Sequence, residues 1–213
     1  MIKILAYTGY FVLFLNLMLF STQFFKETKA YKIFTIYLAL SFIIQVWAEF
    51  LILQKSSNLF LSHFYFIGQF ILLSGFYKQI LKQDGMQNKI VIACFVVVLL
   101  ILGVQFASDN TLFFRFNLLE IVITSIVLVV LASFHFYNLL NEKKEFYYVN
   151  IGILVYLLGS TILFLVGNLM TSLSAEFNKI PWVLNSFMYL LYQIIILVDW
   201  KTRFSNNEIK DEL

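Results

Sequence analysis

Four ionisable side chains lie within or near the ends of long apolar stretches, where a charge is costly. They are Glu49, His63, Arg115 and Glu120. Ionisable groups in such stretches usually face a protein interior or water, and they often belong to a binding site or a proton pathway. A carboxyl there needs a cationic partner or holds a proton, and either state suits ligand binding or acid–base chemistry. These residues are therefore the first candidates for function.

The elements that must position them are seven apolar stretches, each close to the ~20 residues that a helix needs to cross a bilayer. The chain has 213 residues, of which 61% are hydrophobic and 13% charged, so no separate soluble domain is expected. We predict an all-α polytopic membrane protein, a bundle of seven transmembrane helices in one domain (1–204) with a short cytoplasmic tail (205–213). The predicted spans are 4–25, 33–53, 59–77, 90–107, 112–134, 146–170 and 180–198.

The basic residues between the spans predict the orientation. Alternate loops and the tail hold eleven of them, against four elsewhere: Lys26, Lys29, Lys32, Lys78, Lys82, Lys89, Lys143, Lys144, Lys201, Arg203 and Lys210, against Lys3, Lys55, Arg115 and Lys179. Because positive charge is retained on the cytoplasmic side, the N-terminus is predicted outside and the C-terminus inside. A bias towards Phe, Ile, Lys and Asn, with two arginines, suggests an AT-rich genome and a bacterial inner membrane.

The candidate residues gather in the predicted outer half of the bundle. At ~1.5 Å per residue, Glu49 and His63 lie roughly 6 Å below the outer interface, and Glu120 lies about one turn deeper than Arg115. A histidine this close to the predicted interface is typically an interfacial side chain. Arg115 and Glu120 are five residues apart and point in different directions, so Glu49 is the expected partner of Arg115. We predict an outward-facing ligand pocket formed by Glu49, His63, Gln69, Arg115, Asn117 and Glu120.

Further polar residues continue towards the cytoplasmic end. Gln45, Thr124, His135 and Asp199 would form a polar path if the protein moves protons or a small solute. The alternative for every polar residue in a span is a structural hydrogen bond between helices. The small residues of span six, Gly152, Ser160 and Gly167 among them, predict close helix packing.

Several functional classes are excluded by what the sequence lacks. No lysine lies between Lys179 and Lys201 for a retinal Schiff base, and the only cysteine is Cys94. The two histidines lie towards opposite faces, and there is no nucleotide-binding or hydrolase motif, so no metal, cofactor or catalytic residue is predicted. Nucleic-acid binding is not expected, because the lysines lie at helix ends. The final Lys-Asp-Glu-Leu (210–213) spells an ER-retrieval signal, interpreted as coincidence for a cytoplasmic tail.

The segment Tyr189 to Phe204, YLLYQIIILVDWKTRF, ends a span with an acidic residue and Trp before basic residues. In architecture and in this junction the chain resembles bacterial seven-helix sensory modules that precede or accompany a histidine kinase. The resemblance implies signalling. Because the chain stops about thirteen residues after the span, any output domain is expected in a separate protein, a histidine kinase or another membrane complex.

Three functions remain open at this stage. The first is a receptor-like or accessory signalling module, with a ligand or lipid at the outer pocket and a separate partner, and this role needs no enzymatic activity. The second is a small proton-coupled transporter or channel. The third is an intramembrane enzyme that modifies lipid, with Glu49 and Glu120 as acid and base. The ligand and the oligomeric state are not encoded in any recognisable pattern.

Overall fold

The computed structural model describes residues 2–81, 85–140, 145–170 and 179–211, and side chains at 3–169 and 179–204 within these ranges. The described chain forms long α-helices and one short 3-10 helix, η1, with no strand in these ranges. The helices are α1 (Ile2–Thr22), α2 (Lys29–Leu53), α3 (Leu59–Ile80), α4 (Met86–Ser108), η1 (Asn110–Phe114), α5 (Leu118–Asn138), α6 (Tyr147–Met170) and α7 (Lys179–Asp211).

Seven of these helices are long and apolar enough to cross a membrane, which confirms the number of apolar helices predicted from the sequence. Their surfaces carry large apolar side chains, for example Phe11 and Ile43, which are 60% and 57% exposed. Surfaces of this kind are costly in water and stable in hydrocarbon, where helices satisfy their own backbone hydrogen bonds. The predicted basic residues Lys82, Lys143 and Lys144 lie outside the described residues.

The chain divides into two compact units. Unit 1 comprises Met1–Gln23 and Phe136–Leu213, and therefore contains α1, α6 and α7. Unit 2 is the continuous segment Phe24–His135, with α2, α3, α4, η1 and most of α5. His63 and Glu120 both belong to unit 2.

The fifth helix starts later than the predicted residue 112. Residues 110–114 form η1, which is capped by Asp109: its carboxylate accepts hydrogen bonds from the Thr111 backbone N–H at 2.9 Å and hydroxyl at 2.7 Å. Both hydrogen bonds lower the pKa of the Asp109 carboxyl, and the bond from the hydroxyl has the larger effect. The start of α5 is fixed by Asn117, whose side-chain oxygen accepts the backbone N–H of Glu120 at 3.3 Å. An amide oxygen at this position satisfies one of the free N–H groups of the first turn.

In unit 1, α6 packs closely on α7 at glycines, as the small residues of this span predict. A Cβ on Gly152 would lie 3.0 Å from the ring of Tyr192. The Tyr192 ring also stacks on Tyr156, with centroids 5.0 Å apart and an interplanar angle of 6°. Elsewhere in the unit, the side-chain amide of Asn16 donates to the backbone oxygen of Gln193 at 2.8 Å and to its side-chain oxygen at 3.0 Å. These buried amides join α1 to α7 without any charge.

Candidate functional site

The centre of the candidate site is a buried pair of ionisable side chains in unit 2. His63 Nδ1 lies 2.7 Å from Glu120 Oε2, which links α3 to α5. Glu120 is fully buried and His63 is 3% exposed. His63, for which an interfacial side chain was expected, is buried inside unit 2, where its ring pairs with the carboxyl group of Glu120 in the first turn of α5.

Asn117 and Gln105 hold the carboxylate in place. The Asn117 amide nitrogen lies 3.5 Å from Glu120 Oε2, at the outer limit of a hydrogen bond. Asn117 also exchanges two hydrogen bonds with the Gln105 amide of α4, at 3.1 and 3.3 Å. Asn117 thus caps α5, contacts the carboxylate and ties the start of α5 to α4. A residue with these three roles fixes the position of Glu120 through the backbone as well as the side chain.

Aromatic rings enclose the imidazole of His63. Phe113 of η1 stacks on it, with centroids 5.8 Å apart and an interplanar angle of 24°. Phe106 of α4 meets it edge-on, at 5.3 Å and 86°. The ring is therefore fixed by one hydrogen bond and two aromatic contacts, an arrangement that leaves it little freedom to turn.

A cavity of about 700 Å³ lies beside this ring. The described residues that line it come from α2, α3, α4 and η1: Leu40, His63, Phe64, Ile67, Gly68, Ile71, Phe106, Asn110, Phe113 and Phe114. Of these ten, His63 and Asn110 have polar side chains. The size falls within the ~300–1,000 Å³ that is typical of ligand pockets, which are mostly apolar with a few polar groups.

The second nitrogen of His63, Nε2, does not take part in the hydrogen bond to Glu120. Nε2 is buried and has no hydrogen-bond partner among the described residues, and the same holds for Glu120 Oε1. A buried polar atom without a partner costs about 1–3 kcal/mol, so such atoms are rare unless something else satisfies them.

Gln69, another of the predicted pocket residues, has different hydrogen-bond partners. Its side-chain nitrogen donates to the hydroxyl of Tyr37 at 3.1 Å and, more weakly, to that of Tyr65 at 3.5 Å. Gln69 is buried and links α3 to α2. This is an interhelical hydrogen bond of the kind expected for a purely structural polar residue, so Gln69 supports the packing of α3 on α2 in unit 2.

The expected ion pair between Glu49 and Arg115 stays a prediction, although Arg115 lies outside the helix in which it was placed. Arg115 follows η1 in extended backbone, with φ −124° and ψ 160°, and is exposed outside α5. Its charge acts on Asp109, whose pKa it helps to lower after the larger effect of the Thr111 hydrogen bonds. Glu49 is half-buried near the end of α2. The predicted start of span five placed Arg115 inside a helix that begins three residues later, at Leu118.

Three members of the proposed polar path, Thr124, His135 and Gln45, lie in unit 2. The Thr124 hydroxyl bonds to its own helix, at the backbone oxygens of Glu120 (2.7 Å) and Ile121 (3.2 Å). His135 is buried in unit 2, with its ring 6.5 Å from that of Tyr77. Gln45 is half-buried in α2. A path through these residues stays a prediction.

Asp199, the last member of that path, belongs to unit 1 and stabilises the start of α6. Its Oδ1 accepts the backbone N–H groups of Tyr148 at 3.1 Å and Val149 at 3.2 Å. One turn later on α7, the Arg203 guanidinium lies 4.0 Å above the ring of Phe146, which precedes α6 with a positive φ of 54°. A carboxylate from another helix therefore acts as the N-terminal cap of α6.

The sequence interpretation missed Gln105 and the aromatic residues Phe106 and Phe113. Gln105 was the last polar residue of an apolar span and carried no spacing signal of its own. The start of α5 did carry a signal, because Asn117 followed three residues later by Glu120 before an apolar run is a capping pattern. That pattern predicts a helix from residue 118 and would have placed Arg115 outside it.

Among the residues that the structure describes, no group of three or more His, Cys, Asp or Glu side chains could hold a metal ion. The arrangement instead offers an apolar cavity lined in part by the ring of a buried, carboxylate-bonded histidine. Comparison with models of protein families, with curated proteins and with solved structures finds no match to this chain.

Proposed function

We propose that this chain is an integral membrane protein that binds a small, largely apolar molecule in unit 2 and signals its presence to a separate partner. The observation that carries the proposal is the cavity of about 700 Å³ beside the buried His63–Glu120 pair, with Nε2 left unpaired. An apolar cavity with one oriented polar group is the usual design of a small-molecule site.

The orientation with the N-terminus outside rests on the basic residues and places the cavity in the outer half of the membrane. It is tested with single cysteines in a Cys94→Ser background. Ser57→Cys lies at the predicted outer end of α2 and Lys26→Cys at the predicted inner end, and both positions are exposed. A membrane-impermeant maleimide added to intact cells should label Ser57→Cys alone. Labelling of Lys26→Cys alone would reverse the orientation.

Ligand binding is tested by identifying the small molecules that copurify from native membranes. His63→Phe removes both ring nitrogens and keeps an aromatic ring, while Ile67→Trp adds bulk to the cavity wall. Ile126→Trp is the matched control, because Ile126 is 54% exposed on α5 and does not line the cavity. A molecule retained by the wild type and Ile126→Trp, and lost from the other two, supports the site. Identical contents in all four proteins would refute it.

The signalling role is tested by crosslinking in native membranes. A specific partner, such as the histidine kinase implied by the seven-helix sensory resemblance, should crosslink to the wild type. Its crosslinking yield should change in His63→Phe at equal protein level and stay unchanged in Ile126→Trp. A yield that is equal in all variants argues that ligand binding and partner contact are independent.

A lipid-modifying enzyme is the second candidate, and one observation favours it. A carboxylate on Nδ1 orients an imidazole so that Nε2 can act as a general base, as in hydrolases with a histidine and an acidic partner. The acid–base pair would then be His63 with Glu120 in place of two carboxylates. Product formation from lipid vesicles by the wild type, and none by His63→Phe, would favour the enzyme, whereas binding without turnover favours the receptor.

A further inference from the structure

We infer that the ligand of this cavity is a neutral molecule with a planar unsaturated ring joined to an aliphatic tail, and that it enters from the lipid. This inference rests on the proposed binding function and names the chemistry of its ligand. The types of the lining side chains, their order along α3 and the angles between their rings support it.

Aromatic rings are over-represented in the lining of the cavity. Phe provides 25 of the 213 residues of the chain but four of the ten described lining residues, and His63 adds a fifth ring. No Lys, Arg, Asp or Glu is among these ten, and His63 is already bonded to Glu120. A charged group bound here would be buried without a counter-ion of its own, which is strongly unfavourable. The ligand is therefore neutral.

The rings meet around Phe113, near the first turns of α3. His63 stacks on Phe113 at an interplanar angle of 24°, whereas Phe64 and Phe114 are almost perpendicular to it, at 87° and 88°. A planar ring bound among these side chains can stack on one of them while its edge meets another, which are the two arrangements that aromatic rings prefer. A saturated ring is thicker and has no π-system. This end of the cavity therefore favours a planar unsaturated ring.

Aliphatic side chains line the other end of the cavity. Ile67 and Ile71 lie about one and two turns beyond His63 on α3, and Ile71 is eight residues or ~12 Å further along the helix. Leu40 of α2 lies against Gly68, where an added Cβ would be 2.5 Å from its Cδ2. None of these lining residues has a polar side-chain atom. An aliphatic tail is the part of the ligand that fits here.

Access from lipid follows from the exposed rings at the mouth of the cavity. Phe64 and Phe114 line the cavity and are 53% and 70% exposed. On a membrane-spanning domain, large apolar side chains with this exposure face hydrocarbon or its boundary. An apolar ligand that moves from lipid into this cavity gains little hydrophobic free energy, because both surroundings are apolar. Contacts with the rings then provide the selectivity, which two probes that differ only in the ring can measure.

The test is a competition for photocrosslinking of dodecylbenzophenone, a probe with rings and a tail, to the purified full chain in detergent micelles. Crosslinked peptides are identified by mass spectrometry and should map to the segments that line the cavity, 63–71 and 106–114. The competitors are dodecylbenzene and dodecylcyclohexane, which have the same tail and the same number of carbons. We expect dodecylbenzene to displace the probe at a concentration about two- to tenfold lower, because aromatic pairs gain this much beyond the burial of area. This comparison uses the wild type alone and is independent of folding defects.

A matched pair of variants assigns the preference to the rings of the cavity. Phe113→Leu removes the central ring and should reduce the preference for dodecylbenzene. Phe187→Leu is the control, because Phe187 is 50% exposed on α7 of unit 1 and does not line the cavity. Its preference should equal that of the wild type. Equal displacement by both competitors in the wild type, or displacement by dodecane as strong as that by dodecylbenzene, would overturn the assignment of a ring.

The tryptophan variants separate this failure from a failure of the proposed function. If Ile67→Trp abolishes crosslinking to the cavity segments and Ile126→Trp does not, the cavity is the binding site even when the two competitors act equally. If both variants crosslink like the wild type, the cavity is not the site and the proposed function fails with it.

Discussion

The coupling between His63 and Glu120 should be several times larger than that of an ordinary polar contact between helices. We predict this from a double-mutant cycle with His63→Phe and Glu120→Met, which remove the interacting atoms and keep similar shapes. The bond is short at 2.7 Å and both side chains are buried. Hydrogen bonds to charged groups contribute about 1.5–3 kcal/mol, whereas polar contacts between membrane helices average ~0.6 kcal/mol. The expected coupling is therefore ~1.5–3 kcal/mol.

The assay is reversible unfolding in mixed micelles or by steric trapping, with the free energy of unfolding measured for the wild type, both single variants and the double variant. Unit 1 supplies the control cycle. Asn16→Leu and Gln193→Met remove a neutral amide contact of 3.0 Å between α1 and α7, for which we expect ~0.6 kcal/mol. A coupling for His63 and Glu120 no larger than that of the control would refute the reasoning, because the pair would then behave as two neutral groups.

Two further predictions concern unit 1. Gly152→Ala should lower the free energy of unfolding by ~1–3 kcal/mol, since its Cβ would lie 3.0 Å from the packed ring of Tyr192. Gly103→Ala is the control, because nothing lies within 4 Å of the added Cβ, and it should stabilise α4 by ~0.5–1 kcal/mol in the same assay. Equal losses of unfolding free energy in the two variants would contradict the packing argument. Asp199→Leu should destabilise by ~1–2 kcal/mol because two N–H groups in the first turn of α6 lose their acceptor, and hydrogen exchange confined to the start of α6 would report it. Protection there equal to that of the wild type would show that the carboxylate is dispensable.

The sequence was sufficient for the helices, because hydropathy over ~20 residues is a strong and local signal. It was also sufficient to place His63, Asn117 and Glu120 among the candidates, because ionisable and polar residues stand out in apolar surroundings. The direction in which each polar side chain points from its helix was harder to predict. Gln69 lies on the same helix as His63 but bonds to Tyr37, and nothing in the spacing alone separates those two directions.

The failure at Arg115 has a different cause. A window of hydropathy does not register a helix start, so residues 112–117 were counted in span five together with the apolar residues of η1. Local hydrogen bonding decides the boundary: Asp109 ends α4 and starts η1, and Asn117 caps α5. Arg115 therefore lies in the connection between η1 and α5 and not in the helix. The cavity itself could not be predicted, since it depends on how four elements pack around Phe113.

The presence of a buried His–Glu pair in unit 2 argues for binding more than for stability. Unit 1 joins its helices with a neutral amide pair, which avoids the cost of desolvating charges. Replacing a buried ion pair by apolar groups of similar shape is often neutral or stabilising, whereas removing one partner is costly. We therefore expect the His63→Phe, Glu120→Met double variant to unfold within about 1 kcal/mol of the wild type, although each single variant loses ~1–3 kcal/mol. It should nevertheless lose the molecule that copurifies with the wild type. A double variant as unstable as the sum of the two single ones would mean that the pair mainly stabilises the fold, and the argument that it exists for a ligand would lose its physical basis.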